Sequence, residues 1–112
     1  MPFINVKTNT DAQATKELLK SQLGEAITAI PGKSEGWLMI QLEDKLDMWF
    51  KGSDAPCVMF EVAIFGNASD SAYDELTKRI CSVAEKTLSI SPDRVYVKYT
   101  EIDHWGYNNF NF

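Results

Sequence analysis

One plan occurs twice along this chain: an alternating apolar run, an amphipathic helical run, and a second alternating run. In the first copy, Phe3-Ile4-Asn5-Val6-Lys7 alternates directly after Pro2, a residue suited to the first position of a strand. Thr10 followed by Gln13 has the form of a capping box. Leu18, Leu19, Leu23, Ala26, Ile27 and Ile30 then fall on one helical stripe, which Pro31-Gly32 terminates. Residues 37–42 read as the next strand, with Leu38, Ile40 and Leu42 on one face, and residues 46–50 as a short strand before the Gly52-Ser53 turn. In the second copy, residues 57–65 place Val58, Phe60, Val62 and Ile64 on one face, and Gly66-Asn67-Ala68-Ser69 breaks the strand. Tyr73, Leu76, Ile80, Val83, Ala84, Thr87 and Leu88 follow at helical spacing. After Ser91-Pro92, residues 94–100 form a strand with Val95, Val97 and Tyr99 on its apolar face. Phe3 to Trp37 is 34 positions and Val58 to Arg94 is 36, so the halves are two β-α-β units of one design.

Two right-handed β-α-β units give a four-stranded mixed sheet with both helices on one face, an α/β chain of the α+β kind. The other face would carry Phe3, Asn5, Trp37, Met39, Gln41, Cys57, Met59, Glu61, Phe65, Tyr96 and Lys98. That set is too apolar for a solvated face and too polar for a dry core. Sheets facing one another in an oligomer resolve the conflict, so the pattern itself predicts self-association.

A length of 112 residues fits one domain, residues 1–112, with a core of its own. A net charge of −5 argues against nucleic acid, whose phosphates require a basic surface. No apolar run reaches a membrane span. The opening MPFINVKTNTD lacks the regions of a secretory signal, so the expected location is the cytoplasm, with export by a signal-independent route left open. Cys57 and Cys81 lack partners at metal-ligand spacing and His104 is the lone histidine, so no metal or other cofactor is expected. A disulfide is allowed but not implied, because buried free thiols are the commoner outcome in a reducing compartment.

The chemistry centres on Pro2. Removal of Met1 by ordinary methionine processing would leave a secondary amine at the terminus. An amine is a general base only when neutral, and burial or a nearby cation favours the neutral form. Lys33, at the start of the loop after Pro31-Gly32, is a candidate cation. From spacing alone, the plainer reading outweighs the catalytic one: a processed terminus and a surface charge.

The comparison of motifs changes that balance. MPFINVKTN, IPGKSEGW, FKGSDAPC, ISPDRVYVKY and GYNNFNF occur in order along the whole chain. With these segments the sequence resembles the macrophage migration inhibitory factor and D-dopachrome tautomerase family. The resemblance implies the tautomerase fold, a homotrimer whose three sheets form a barrel around a channel, and an active site at each subunit boundary. It implies that Pro2 is the catalytic base for keto–enol conversion of phenylpyruvate-type α-keto acids. Lys33 then matches the lysine that binds the substrate carboxylate and keeps the proline neutral, and Tyr96 a tyrosine from the neighbouring subunit. Trp37 stands where a tyrosine is familiar, and Phe65 where an isoleucine touches substrate.

The sequence also departs from the family pattern. Lys98 replaces an asparagine that faces the substrate's phenol in the vertebrate cytokine, which puts substrate preference in question. The tail is slightly shorter, and Trp105, Tyr107 and Phe112 form either an aromatic wall of the site or a clamp onto a neighbour. Phe60 stands in place of the second cysteine of the family's Cys-x-x-Cys, so dithiol chemistry does not carry over. His104 reads as a solvated turn residue, with a role in the pocket as the alternative. The competing function is a cytokine-like protein that engages a cell-surface receptor and keeps the proline pocket as a secondary feature. Dehalogenation or hydration of unsaturated acids would add Arg and Glu partners around the proline, and none is matched here.

Overall fold

The computed structural model describes residues 1–112 and contains the duplicated plan. Strand β1 (Pro2–Thr8) leads through a 3-10 turn to helix α1 (Lys16–Ala26), and β2 (Met39–Glu43) closes the first unit. Strand β3 (Val58–Phe65), helix α2 (Asp70–Leu88) and β4 (Val95–Ile102) form the second. The sheet order is β2-β1-β3-β4. β1 runs parallel to β2 and β3 parallel to β4, while β1 and β3 are antiparallel, with Pro2 opposite Ile64 and Asn5 opposite Glu61. The parallel pairs follow from the helical crossovers, and the antiparallel seam joins the two units.

The core lies between the sheet and the helices. Ile4, Val6, Phe60, Val62 and Ile64 project from the strands against Leu19, Leu23, Ile27, Leu76 and Ile80 of the helical layer. The strict alternation of burial along β3 is the signature of a sheet covered on one side. Ser69 caps α2 by accepting the Ala72 N–H, and Ser89 ends it in the left-handed conformation with φ of 56°.

Five sequence expectations need correction. The capping box does not form: Asp44, reaching across from the loop after β2, accepts from both the Ala12 N–H and the Gln13 amide, and Thr10 turns to Thr8. Leu18 is exposed, because it lies one residue ahead of the buried positions Leu19, Leu23, Ala26 and Ile27 and shares its side of α1 with Gln22 and Glu25. Trp37 belongs to a 3-10 turn rather than to β2. Residues 46–50 form no strand: Lys45 and Lys51 both have φ of 55°, which breaks the extended path, and only a Phe50–Ser53 bridge remains. Cys57, expected on the open face, is buried at the entrance to β3, where Asn9 accepts its N–H and Thr8 donates to its carbonyl.

Two features lie outside the duplicated plan. Residues 50–56 are tied to the start of β4 by Arg94, whose guanidinium donates to the carbonyls of Phe50, Ser53, Ala55 and Pro56 at 2.6–3.2 Å and rests against the Phe50 ring. At the C-terminus β5 (Gly106–Tyr107) pairs with β6 (Phe110–Asn111), joined by Asn108 and Asn109 at positive φ. That is the two-residue hairpin turn that asparagine favours.

Candidate active site

The open face of the sheet ends, at the Pro2 edge, in a cavity of about 640 Å³ with mostly apolar walls. Pro2, Phe3, Trp37, Met39, Ala63 and Tyr107 are among its lining residues. Trp37 and Tyr107 meet edge to face, with centroids 5.2 Å apart, so the loop before β2 and the C-terminal hairpin close one side together. Phe112 lies 5.9 Å from Phe65 and holds the hairpin over the end of β3.

The sheet register places Pro2 at the first position of β1, where a missing N–H costs no ladder bond. Gly32, at φ of 80°, turns the chain after α1 and brings Lys33 back to the same edge. The Lys33 Nζ donates to the Phe65 carbonyl at 3.1 Å, and the Phe65 N–H donates to the Met1 carbonyl at 2.9 Å. One residue of β3 therefore holds the terminus through its N–H and the lysine through its carbonyl. Burial, reinforced by the charge and hydrogen bond of Lys33, holds the Met1 α-amino group below its ordinary pKa. The amine is thus biased toward its neutral form.

Pro2, Lys33, Phe65, Trp37 and Tyr107 come together within one chain. Tyr96 and Lys98 do not join them. Tyr96 pairs with Met59, five residues down β3 from the partner of Pro2, about 17 Å at the rise of a strand. There it packs on Phe50 with centroids 4.5 Å apart and is 58% exposed. Lys98 sits closer, on the open face opposite Glu61, and binds that carboxylate at 2.9 Å while Lys7 binds it at 2.8 Å. The two ammonium groups hold the Glu61 carboxyl far below the usual range, at about 2.

Sequence reasoning missed Asn5, Ala63 and Glu61 as neighbours of the pocket. Asn5 and Glu61 did carry a signal: both are polar residues at positions where an alternating strand turns toward an otherwise apolar face. Trp105 also lines the cavity, whereas Phe112 does not. His104 is exposed.

A mixed four-stranded sheet built from two β-α-β units, with an apolar-walled pocket at the start of β1, defines a protein of the tautomerase fold. The chain belongs to the macrophage migration inhibitory factor family, whose family model matches residues 1–110. It is 27% identical over 114 aligned residues to macrophage migration inhibitory factor of Meriones unguiculatus, covering all of this chain and 99% of that one. It is 24% identical to D-dopachrome decarboxylase of Gallus gallus, over 94% of this chain and 90% of that one. Among solved structures, Leishmania major MIF2 superposes with a TM-score of 0.92 at 29% identity, over all of this chain and 97% of the other. A homologue from Prochlorococcus marinus gives 0.81 at 28% identity, over 98% of each chain.

Proposed function

We propose that the protein is a keto–enol tautomerase acting on phenylpyruvate-type α-keto acids, with Pro2 as the general base once Met1 is removed. The observation that carries this reading is a chain terminus in the wall of an apolar cavity, linked through Phe65 to the Lys33 ammonium. While Met1 is attached, the Pro2 nitrogen is an amide and has no basicity. Its removal does two things at once. It places a secondary amine within the surroundings that already hold the terminal amine toward neutrality. It also takes away the acceptor of the Phe65 N–H, leaving a backbone donor at the pocket.

In this reading the substrate carboxylate lies against Lys33 and its ring between Trp37 and Tyr107. Pro2 removes a proton from C3 of the keto form and the carbonyl oxygen gains one, or the reverse. The lysine and the freed Phe65 N–H stabilise negative charge as it develops. Tyr96 serves the pocket of a neighbouring subunit in a homotrimer, since its own pocket lies too far away.

The test follows enol–keto conversion of phenylpyruvate by ultraviolet absorbance in protein shown by mass spectrometry to lack Met1. Pro2→Gly keeps a terminal amine but changes its class and placement, and is expected to lower the rate by about 10²–10⁴. Full activity in that variant, or none in the processed wild type, would overturn the assignment. A second reading, a cytokine-like protein engaging a cell-surface receptor, draws on the curated relatives whose name describes an effect on macrophage migration. Receptor binding that survives Pro2→Gly would favour it.

A further inference from the structure

The segments FKGSDAPC and ISPDRVYVKY add nothing to the wall of the Pro2 cavity, yet Arg94 ties one to the other. Residues 50–56 have little regular structure of their own. Phe50 and Ser53 exchange backbone hydrogen bonds at 2.9 and 3.1 Å, and the remainder is loop. Two side chains hold this loop by its main chain. The Asn9 amide donates to the carbonyls of Asp54 and Ala55 and accepts the Cys57 N–H, all at 2.9–3.1 Å. Arg94 donates to the carbonyls of Phe50, Ser53, Ala55 and Pro56. A guanidinium can do this because its N–H donors form a rigid fork, and here all three of its nitrogens are engaged.

Phe50 is gripped twice. Arg94 donates to its carbonyl at 2.6 Å and lies over its ring, 5.2 Å from the centroid. The same ring packs on Tyr96, with centroids 4.5 Å apart and planes at 38°. Phe50 is therefore the middle member of a chain of contacts that runs from Arg94 to Tyr96. Tyr96 is 58% exposed, and a ring so placed keeps one orientation only where a neighbour restricts it. Phe50 supplies that restriction, and Arg94 fixes Phe50.

We propose that Arg94 is a positioning residue for the neighbouring subunit's pocket: through residues 50–56 and the Phe50 ring it holds Tyr96 in the orientation that meets substrate. The pocket part of this statement rests on the function proposed above, in which Tyr96 serves a neighbour; the contacts from Arg94 to Tyr96 lie within one chain. Arg94 acts through Tyr96 and not on the reacting atoms. Lysine cannot replace it, because an ammonium is a point donor on a flexible stem and does not span four carbonyls. A ring ordered beforehand loses less entropy when substrate binds, so the effect falls on KM more than on kcat.

The test begins with phenylpyruvate turnover by Arg94→Lys protein lacking Met1. KM is expected to rise about tenfold with kcat little changed. The acid limb of the pH–rate profile should stay in place, because the terminus and Lys33 are untouched. Mixed oligomers then separate a role in the neighbour's pocket from a role in the chain's own. Arg94→Lys chains carry a sound base and a misplaced tyrosine, and Pro2→Gly chains the reverse. Random assembly of equal amounts into trimers joins a sound base to a sound tyrosine in roughly a quarter of pockets, so kcat/KM per chain should reach roughly a quarter of the wild-type value. Simple addition of the two parents gives roughly one twentieth. That additive value, or a KM unchanged by Arg94→Lys, would overturn the proposal. Should Arg94→Lys fail to fold, Phe50→Leu removes the middle of the chain of contacts and is expected to give the same rise in KM and the same recovery. A second readout does not need the reaction. In protein carrying 3-fluorotyrosine, the fluorine resonance that Tyr96→Phe removes should be one narrow line in wild type and should broaden or split in Arg94→Lys and in Phe50→Leu. A line that neither substitution alters also overturns the proposal. The two claims fail separately: an inactive wild type with the expected fluorine lines removes the substrate assignment and leaves the hold of Arg94 on Tyr96 standing, whereas an active wild type that Arg94→Lys leaves unaltered removes only the role of Arg94.

Discussion

Burial is the largest single cause that lowers the Met1 amine, and Lys33 adds to it through charge and through a hydrogen bond. Lys33→Met should therefore raise the amine pKa only part of the way to its ordinary value. The fraction of neutral base at pH 7 falls, and the acid limb of kcat/KM moves to higher pH, as a pH–rate profile would record. Glu61 titrates in the opposite sense. Its carboxyl is lowered from 4.5 to about 2 in the folded chain, so its stabilising contribution is present above 4.5 and disappears as the pH falls through about 2. Melting temperatures measured across that window should fall more steeply for wild type than for Glu61→Gln. Of these residues, sequence periodicity placed Glu61 on the open face but gave no partner for it. Lys7 precedes it by 54 positions and Lys98 follows it by 37, and only the register of β3 with both neighbours brings the ammonium groups together. Pro2 and Lys33 were candidates from their residue types, but only a family likeness paired them, because no local pattern connects two residues separated by a helix-long detour.

At the scale of elements, the long strands and α2 were legible because burial on one side imposes a period that many residues share. The hairpin of β5 and β6 was not, since two residues per strand are too few to show any period. The capping box of α1 failed for another reason: Asp44 is remote in sequence and a stronger acceptor than the Thr10 hydroxyl. The two helix ends also differ in how well residue and conformation agree. Ser89 closes α2 in a conformation that strains a side chain, so Ser89→Gly should stabilise the fold by about 0.5–1 kcal/mol in chemical denaturation. In α1, Gly24 sits against the Glu35 side chain, and an added Cβ would collide with its carboxylate. Gly24→Ala should consequently fall short of the roughly 1 kcal/mol that alanine normally adds to a helix interior, and Gly24→Ala with Glu35→Ala should recover it.

Across the whole molecule, the sheet has one face sealed by helices and one that exposes Met39 and Tyr96 beside the Glu61 ion pairs. The same mixture, read from alternation alone, argued for association, and we expect sedimentation to give three times the 12.6 kDa of one chain. A monomer at micromolar concentration would refute that expectation. The clamp of Arg94 on residues 50–56 has a different consequence. It grips main-chain carbonyls, which every amino acid possesses, and at Ser53 and Ala55 asks nothing of the side chains. The path of this segment is consequently indifferent to much of its spelling. A lineage can rewrite the outward letters at Asp54 and Ala55 while the backbone keeps its course, whereas Gly52, at φ of 73°, and Ser53, whose hydroxyl accepts the Ala55 N–H, stay bound to it.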